Sequence, residues 1–386
     1  MKHIISLLAV AFLVFVFTFY VDGEMGVILI AFLLIAPLMS LLFMLNGRKN
    51  VRVSFNCDGY VKKGSSLEVC VKAEKNGGFP VAFIDIKPRF SAGFSGDGKT
   101  YRMSMFMKKT AEFTFSLPAE IGGCGEVAVE AVQSCGFLGF MKLRCISELP
   151  KPKIVGIIPV VPEINASSAL FRTIADVVLT SDDDEENDTS MMFSANTSLG
   201  YEHREYVQGD PMKRVNWKLS SKTGKLMVRL DEASSAVQPC IAVDLFRSSE
   251  AKEPDALKNE EKILCSVFGL LTLLIRQGIA CTVIYRGAEG NTVSETVDNP
   301  DYPQQLLLKI LAVKVERDKR LEPGTLTSGS CACIIAETDT SGSFSDVIGS
   351  VPDPDSVCVI VPDGRTAHKL QVPVWYLDND NNFKPV

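Results

Sequence analysis

Charged side chains crowd residues 200–218, where Arg204, Glu205, Asp210, Arg214 and Lys218 could converge on a phosphate or a carboxylate. Turnover at such a cluster would need a nucleophile beside a base, and no such pair is recognisable. His203 is an isolated histidine in the cluster, placed as an exposed strand residue rather than a general base. The chain carries no phosphate-cradling glycine loop, no H-E-x-x-H helix and no serine elbow. A second group of oxygen-bearing residues lies further on: Asp244 and Ser248, with Glu337 or Asp339 after a later strand. These could furnish part of a magnesium site, although that ion takes near-octahedral oxygen coordination and Phe246 fills a position between the two ligands. Alternatively, Asp244 hydrogen-bonds the loop that follows its strand.

The elements that would position the first cluster are legible. Asp210 is placed to cap a helix over 211–221 with Pro211 at its first position, where a missing N–H costs nothing. Gly224 ends the helix and 225–230 alternates as a strand, giving a strand, capped helix, strand unit. Glu205 or Asp210 then pairs with Arg204 or Arg214 in a buried or half-buried network, with Trp217 as an anchor. The string R-E-Y-x-x-G-D-x-x-x-R-x-N-W-K, followed by S-x-x-G-K-L-x-V-R, resembles the signature of domain-of-unknown-function family 58. It rests on Arg204, Glu205, Tyr206, Gly209, Asp210, Arg214, Asn216, Trp217 and Lys218, continued by Gly224, Leu226, Val228 and Arg229. The resemblance implies two membrane helices, a β-rich region and a von Willebrand factor A-like domain. It also implies partnership with a MoxR-type AAA+ ATPase and association with transglutaminase-like and other membrane proteins.

From residue 238 onward, apolar runs at 240–243, 280–285, 331–336, 357–361 and 374–377 alternate with helical stretches at 254–277 and 302–317. That pattern predicts a Rossmann-type parallel sheet covered on both faces, with the carboxyl ends of its strands sharing one ligand-binding edge. Asp244, on that edge, starts a degenerate version of the Asp-x-Ser-x-Ser adhesion motif that it resembles.

Two apolar segments, 4–21 and 27–45, are each near the length of a membrane span, so residues 1–46 read as a transmembrane hairpin. Asp22 and Glu24 mark its turn, while Lys2, Arg48, Lys49 and Arg52 flank its ends, placing the soluble domains in the cytoplasm by the positive-inside rule. Residues 47–150 show short alternating runs punctuated by glycine turns, about seven strands of an antiparallel, immunoglobulin-like β-sandwich. Within it, Gly136 begins an element resembling the family's Asp-aromatic-Leu-Gly-Leu-Phe, with glycine where aspartate is usual. Residues 151–199 form a linker whose acidic run at 182–188 is a solvated loop rather than a calcium site. Residues 200–386 join the signature to the α/β domain.

The net charge of −6 argues against a nucleic-acid binder, and 11 cysteines without a C-x-x-C pair fit buried thiols better than a disulfide framework or a zinc site. The expectation is a membrane-anchored adaptor, not an enzyme, without a cofactor unless magnesium binds. A membrane-bound hydrolase using the 204–218 cluster and a metal-dependent ligand binder stay open.

Overall fold

The computed structural model describes residues 2–96, 98–139, 141–180, 198–206, 215–232, 238–248, 252–287, 290–313, 319–321, 333–340, 344–349, 357–364 and 370–386. The chain divides into two compact units, one chiefly Met1–Val160 and the other chiefly Val161–Ile310 and Val315–Val386.

The first unit opens with α1 (Lys2–Tyr20) and α2 (Gly23–Asn50), which pack as a hairpin. Asp22 caps α2, its carboxylate accepting from the Glu24 and Met25 amides at 3.0 and 3.3 Å. The helices approach closely at Gly26, where an added Cβ would lie 2.6 Å from the Thr18 Cα. Among the described residues, α2 is the one helix long and apolar enough to cross a membrane; the part of α1 with described side chains, Leu8–Tyr20, is shorter.

Asn50 leads straight into the β-domain, built from β1 (Val51–Cys57), β2 (Tyr60–Lys62), β3 (Ser66–Lys75), β4 (Val81–Phe90), β5 (Tyr101–Phe106), β6 (Thr110–Pro118), β7 (Gly123–Cys135), β8 (Lys142–Arg144) and β9 (Lys153–Ile158). Three strands in the order β1-β3-β6 face a larger sheet ordered β2-β9-β7-β4-β5, with β8 paired to β7. Strict alternation along β3 sends Leu67, Val69, Val71 and Ala73 into the core shared by both sheets. The turns expected at Gly64 and Gly77 have positive φ, +82° and +99°, which glycine adopts without strain. Two details depart from the sequence reading. β9 lies in the expected linker yet pairs antiparallel with β7, and β2 pairs parallel with β9.

The carboxyl-terminal turns of α2 are part of this domain's packing. Met44 is buried, Asn46 donates to the Phe79 carbonyl at 3.1 Å, and the Ile146 amide donates to Arg48 O at 2.9 Å. Gly47 sits so close that an added Cβ would lie 2.3 Å from Ser134 Oγ.

Asp85 is the domain's buried carboxylate, held by Arg102 at 2.7 and 3.0 Å and by Lys142 at 2.7 Å. Burial alone would raise its pKa, but the hydrogen bonds from Arg102 and Lys142 outweigh it and hold the carboxyl below its ordinary range. The native value lies under the unfolded value of about 3.9, so the stabilisation is present above that pH and lost as pH falls through the native value. Acid titration of the wild type against Asp85→Asn should show a shallower acid limb in the variant.

The second unit contains α3 (Ala169–Thr180), β10 (Ser198–Glu205), α4 (Trp217–Thr223), β11 (Met227–Glu232), β12 (Cys240–Asp244), α5 (Glu253–Arg276), β13 (Cys281–Arg286), β14 (Thr292–Val297), α6 (Tyr302–Leu311), β15 (Cys333–Glu337), α7 (Phe344–Gly349), β16 (Val357–Val361), β17 (Val374–Leu377) and β18 (Phe383–Pro385). Seven strands form one sheet in the order β14-β13-β12-β15-β16-β17-β18. The five central strands are parallel, as their apolar composition predicts, and β12 and β15 are buried along their whole length. Both edge strands, β14 and β18, run antiparallel to their neighbours, so the sheet is mixed rather than purely parallel. The helix expected over 302–317 ends at Leu311. The acidic run at 182–188 lies outside the described residues.

The ten described cysteines are all free. Burial pushes the Cys135 and Cys145 thiols up to about 11 and Cys358 up to about 12, which keeps them protonated and inert.

Candidate functional site

Strands β10 and β11 form a two-stranded antiparallel sheet of their own, pairing Arg204 with Val228 and Glu205 with Met227. Tyr206 continues the pairing through its amide, which donates to Leu226 O at 2.8 Å. The helix of this unit begins at Trp217, six positions later than Pro211, because Asn216 is the cap: its Oδ1 accepts from the Leu219 amide at 3.1 Å. The cap is tied to the hairpin, since Asn216 N–H donates to Met227 O at 2.9 Å and the Met227 amide donates to Ser220 Oγ at 2.8 Å. Buried Val215 bridges Val228, and Gly224 closes the helix in the left-handed conformation at φ +73°. The expected strand, helix, strand order therefore stands, with a shorter helix and a different cap.

Of the expected network, the structure describes the Glu205 side chain, which is exposed and pairs with exposed Lys225. Trp217 is 59% exposed and Lys218 is exposed beside it, so the indole is displayed at the surface of α4. Gly209, Asp210 and Arg214 lie outside the described residues, as does the side chain of Arg204.

The strand ends of the seven-stranded sheet hold a second constellation. The chain leaves β12 toward β13 on one side and β15 on the other, so the end of β12 is a topological switch point, the usual ligand position in such sheets. Asp244 and Glu337 end β12 and β15 as register partners. Their carboxyls hydrogen-bond each other, and both are buried. Asp244 Oδ2 also accepts from the Leu321 amide at 3.0 Å, a distant segment rather than the loop that follows its own strand. Arg320 supplies the counter-charge: its Nη1 lies 3.0 Å from Glu337 Oε2 and donates to Asp339 O at 3.0 Å. The guanidinium stacks 4.0 Å from the Phe246 ring centroid and 5.4 Å from that of Phe344.

Burial is the largest influence on both carboxyls. It raises Asp244, against the opposing effect of the Leu321 amide, Glu337 and the charges of Arg320 and Arg286. Burial and the neighbouring Asp244 charge together hold Glu337 well above the carboxylate range. Both carboxyls therefore favour the protonated form more than free carboxyls do, and the guanidinium balances the charge that remains. Magnesium ligation through Asp244 and Ser248 meets an Asp244 already engaged by Leu321 and Glu337. Among the described residues, no group of three or more His, Cys, Asp or Glu side chains could hold a metal ion. Sequence reasoning found Asp244 and Glu337 but missed Arg320, which lies in irregular chain between α6 and β15 and has no periodicity to mark it.

The signature hairpin, α4 and the first strands of the mixed sheet lie in a stretch that is similar to one family model. Residues 202–311 match the model described as "Protein of unknown function DUF58". The DUF58 segment runs from β10 to the end of α6 and includes Trp217 and Asp244. No curated protein matches the chain. Among solved structures, a cohesin module of a Clostridium perfringens ATCC13124 family 33 glycoside hydrolase is 16% identical, with a TM-score of 0.23 over 28% of this chain and 97% of that one. The CARDB domain of the PF1109 protein from Pyrococcus furiosus is 15% identical, with a TM-score of 0.23 over 28% of this chain and 93% of that one.

Proposed function

We propose that the protein is a membrane-anchored adaptor whose DUF58 segment docks a MoxR-type AAA+ ATPase in envelope-associated assembly or maturation. The observation that carries this reading is Trp217, an exposed indole on a helix fixed to its hairpin by Asn216, Ser220 and Gly224. Aromatic side chains held rigidly at a surface are favoured anchors for protein partners, because little entropy is lost when they are buried. The adjoining sheet, with antiparallel β14 at one edge beside parallel β13, β12 and β15, supports a von Willebrand factor A-like domain. In that domain the Asp244 edge is closed by Arg320 and serves structure. Apolar α2 supports anchoring, together with α1 as a two-span hairpin, and the basic residues of its last turn support a cytoplasmic placement of both soluble units.

The test is affinity capture of the mildly solubilised full chain with the ATPase. Trp217→Ala should weaken capture about 30-fold, the consequence of removing a contact of about 2 kcal/mol. Because Trp217 is exposed, the variant should keep the wild-type circular dichroism and melting curve. Undiminished capture would remove the indole from the interface.

A further inference from the structure

Three loops of the β-domain gather around Phe43 of α2. Phe79 comes from the β3–β4 loop, Phe106 from the end of β5 and Phe137 from the β7–β8 loop, with ring centroids 5.6, 6.3 and 6.1 Å from that of Phe43. All three are substantially exposed, as are Met107 and Met141 beside them.

The β5–β6 loop is built to hold its apolar tip outward. Phe106 has φ +33°, a conformation that strains any residue with a bulky side chain. Buried Lys75 maintains it, its Nζ donating to Phe106 O at 3.0 Å and its amide to Lys109 O at 2.8 Å. The Lys108 amide closes the turn on Met105 O at 2.7 Å. An exposed aromatic and a methionine are thereby followed directly by two exposed lysines, Lys108 and Lys109.

The position of these loops along α2 identifies what they face. The apolar run of α2 ends at Leu45, so Phe43 and Ser40 lie about 3 and about 7.5 Å deeper along a helix rising 1.5 Å per residue. The β7–β8 loop reaches that depth, with the Leu138 amide donating to Ser40 Oγ at 3.5 Å. A bilayer that ends where the apolar run ends therefore meets the loop tips before it meets the polar end of the helix.

We propose that the three loops insert into the membrane interface, burying Phe106, Met107 and Phe137 among lipid acyl chains while Lys108 and Lys109 bind anionic headgroups. The inference rests on α2 being a membrane span. Apolar and aromatic side chains flanked by lysines suit the boundary between hydrocarbon and headgroups. The consequence is that the β-domain is seated on the bilayer instead of swinging from its anchor.

The full chain is reconstituted into vesicles of brominated phosphatidylcholine with phosphatidylglycerol, and tryptophan emission is compared with that in unbrominated vesicles. Ile35→Trp reports on the α2 span, Phe106→Trp on the loop and Glu68→Trp, at an exposed position of β3, on the aqueous background, each after subtraction of the unsubstituted protein. Quenching at Ile35→Trp and Phe106→Trp, but not at Glu68→Trp, is expected, and replacing Lys108 and Lys109 by glutamate in the Phe106→Trp protein should reduce it. Quenching at Ile35→Trp alone would overturn the inserted loop while leaving the span intact. Quenching at neither would overturn the span, and the inference with it.

Discussion

Arg320→Ala is expected to destabilise the α/β unit by about 3–5 kcal/mol, the cost of leaving a buried carboxylate without its counter-charge. The Arg320 side chain is 8% exposed and serves Glu337, the Asp339 carbonyl and the Phe246 ring together. The loss should grow with pH. Without Arg320 the native Asp244–Glu337 pair holds its protons more tightly, whereas the unfolded chain releases them above about pH 4. From about pH 4 up to the raised native values the native state then binds more protons than the unfolded state, so stability falls as pH rises across that window and levels off above it. Urea denaturation followed by circular dichroism at several pH values tests both the size and the sign. Adding Asp244→Asn to Arg320→Ala should recover part of the loss and flatten the pH dependence. If Arg320→Ala melts like the wild type at every pH, the closed-edge account of this site is wrong.

The same site shows why some of the molecule was legible in sequence and some was not. Central strands buried on both faces need continuous apolar runs, so β12, β13, β15 and β16 announce themselves. Edge strands carry a weaker signal: β14 alternates as Thr-Val-Ser-Glu-Thr-Val, mostly half-exposed, and Gly290 at φ +76° lies in the turn before it. β18 is three residues long, too short for any periodicity. Capping chemistry was legible in kind but not in place. Asp210 before Pro211 offers a strong local cap, yet the helix starts where Asn216 can bond both Leu219 and the β11 backbone, a tertiary preference invisible to local spacing. Arg320 was missed for a related reason, since its role depends on the meeting of two strand ends 93 residues apart in sequence, Asp244 and Glu337.

Gly136→Asp should dislodge α2 from the β-domain, even though aspartate is the residue that the resembling family element carries at this place. A Cβ at 136 would lie 2.2 Å from Ser40 Oγ and 3.1 Å from Ser40 O, so the first contact is impossible and the second is tight against helix backbone. Overpacking of this kind costs about 1–3 kcal/mol, and a carboxylate placed against buried Ser40 adds a desolvation cost. The glycine is thus the residue the helix contact demands. Thermal denaturation of the full chain in detergent should show the β-domain melting earlier in Gly136→Asp, with Gly136→Ala intermediate because it brings the steric clash without the charge. Ser40→Gly removes the hydroxyl but not the carbonyl, so the pair Ser40→Gly and Gly136→Ala should regain most of the loss, and Ser40→Gly with Gly136→Asp only part of it. Equal melting of Gly136→Ala and the wild type would mean that α2 yields at Ser40, and that the helix and the β-domain are not packed as one body there.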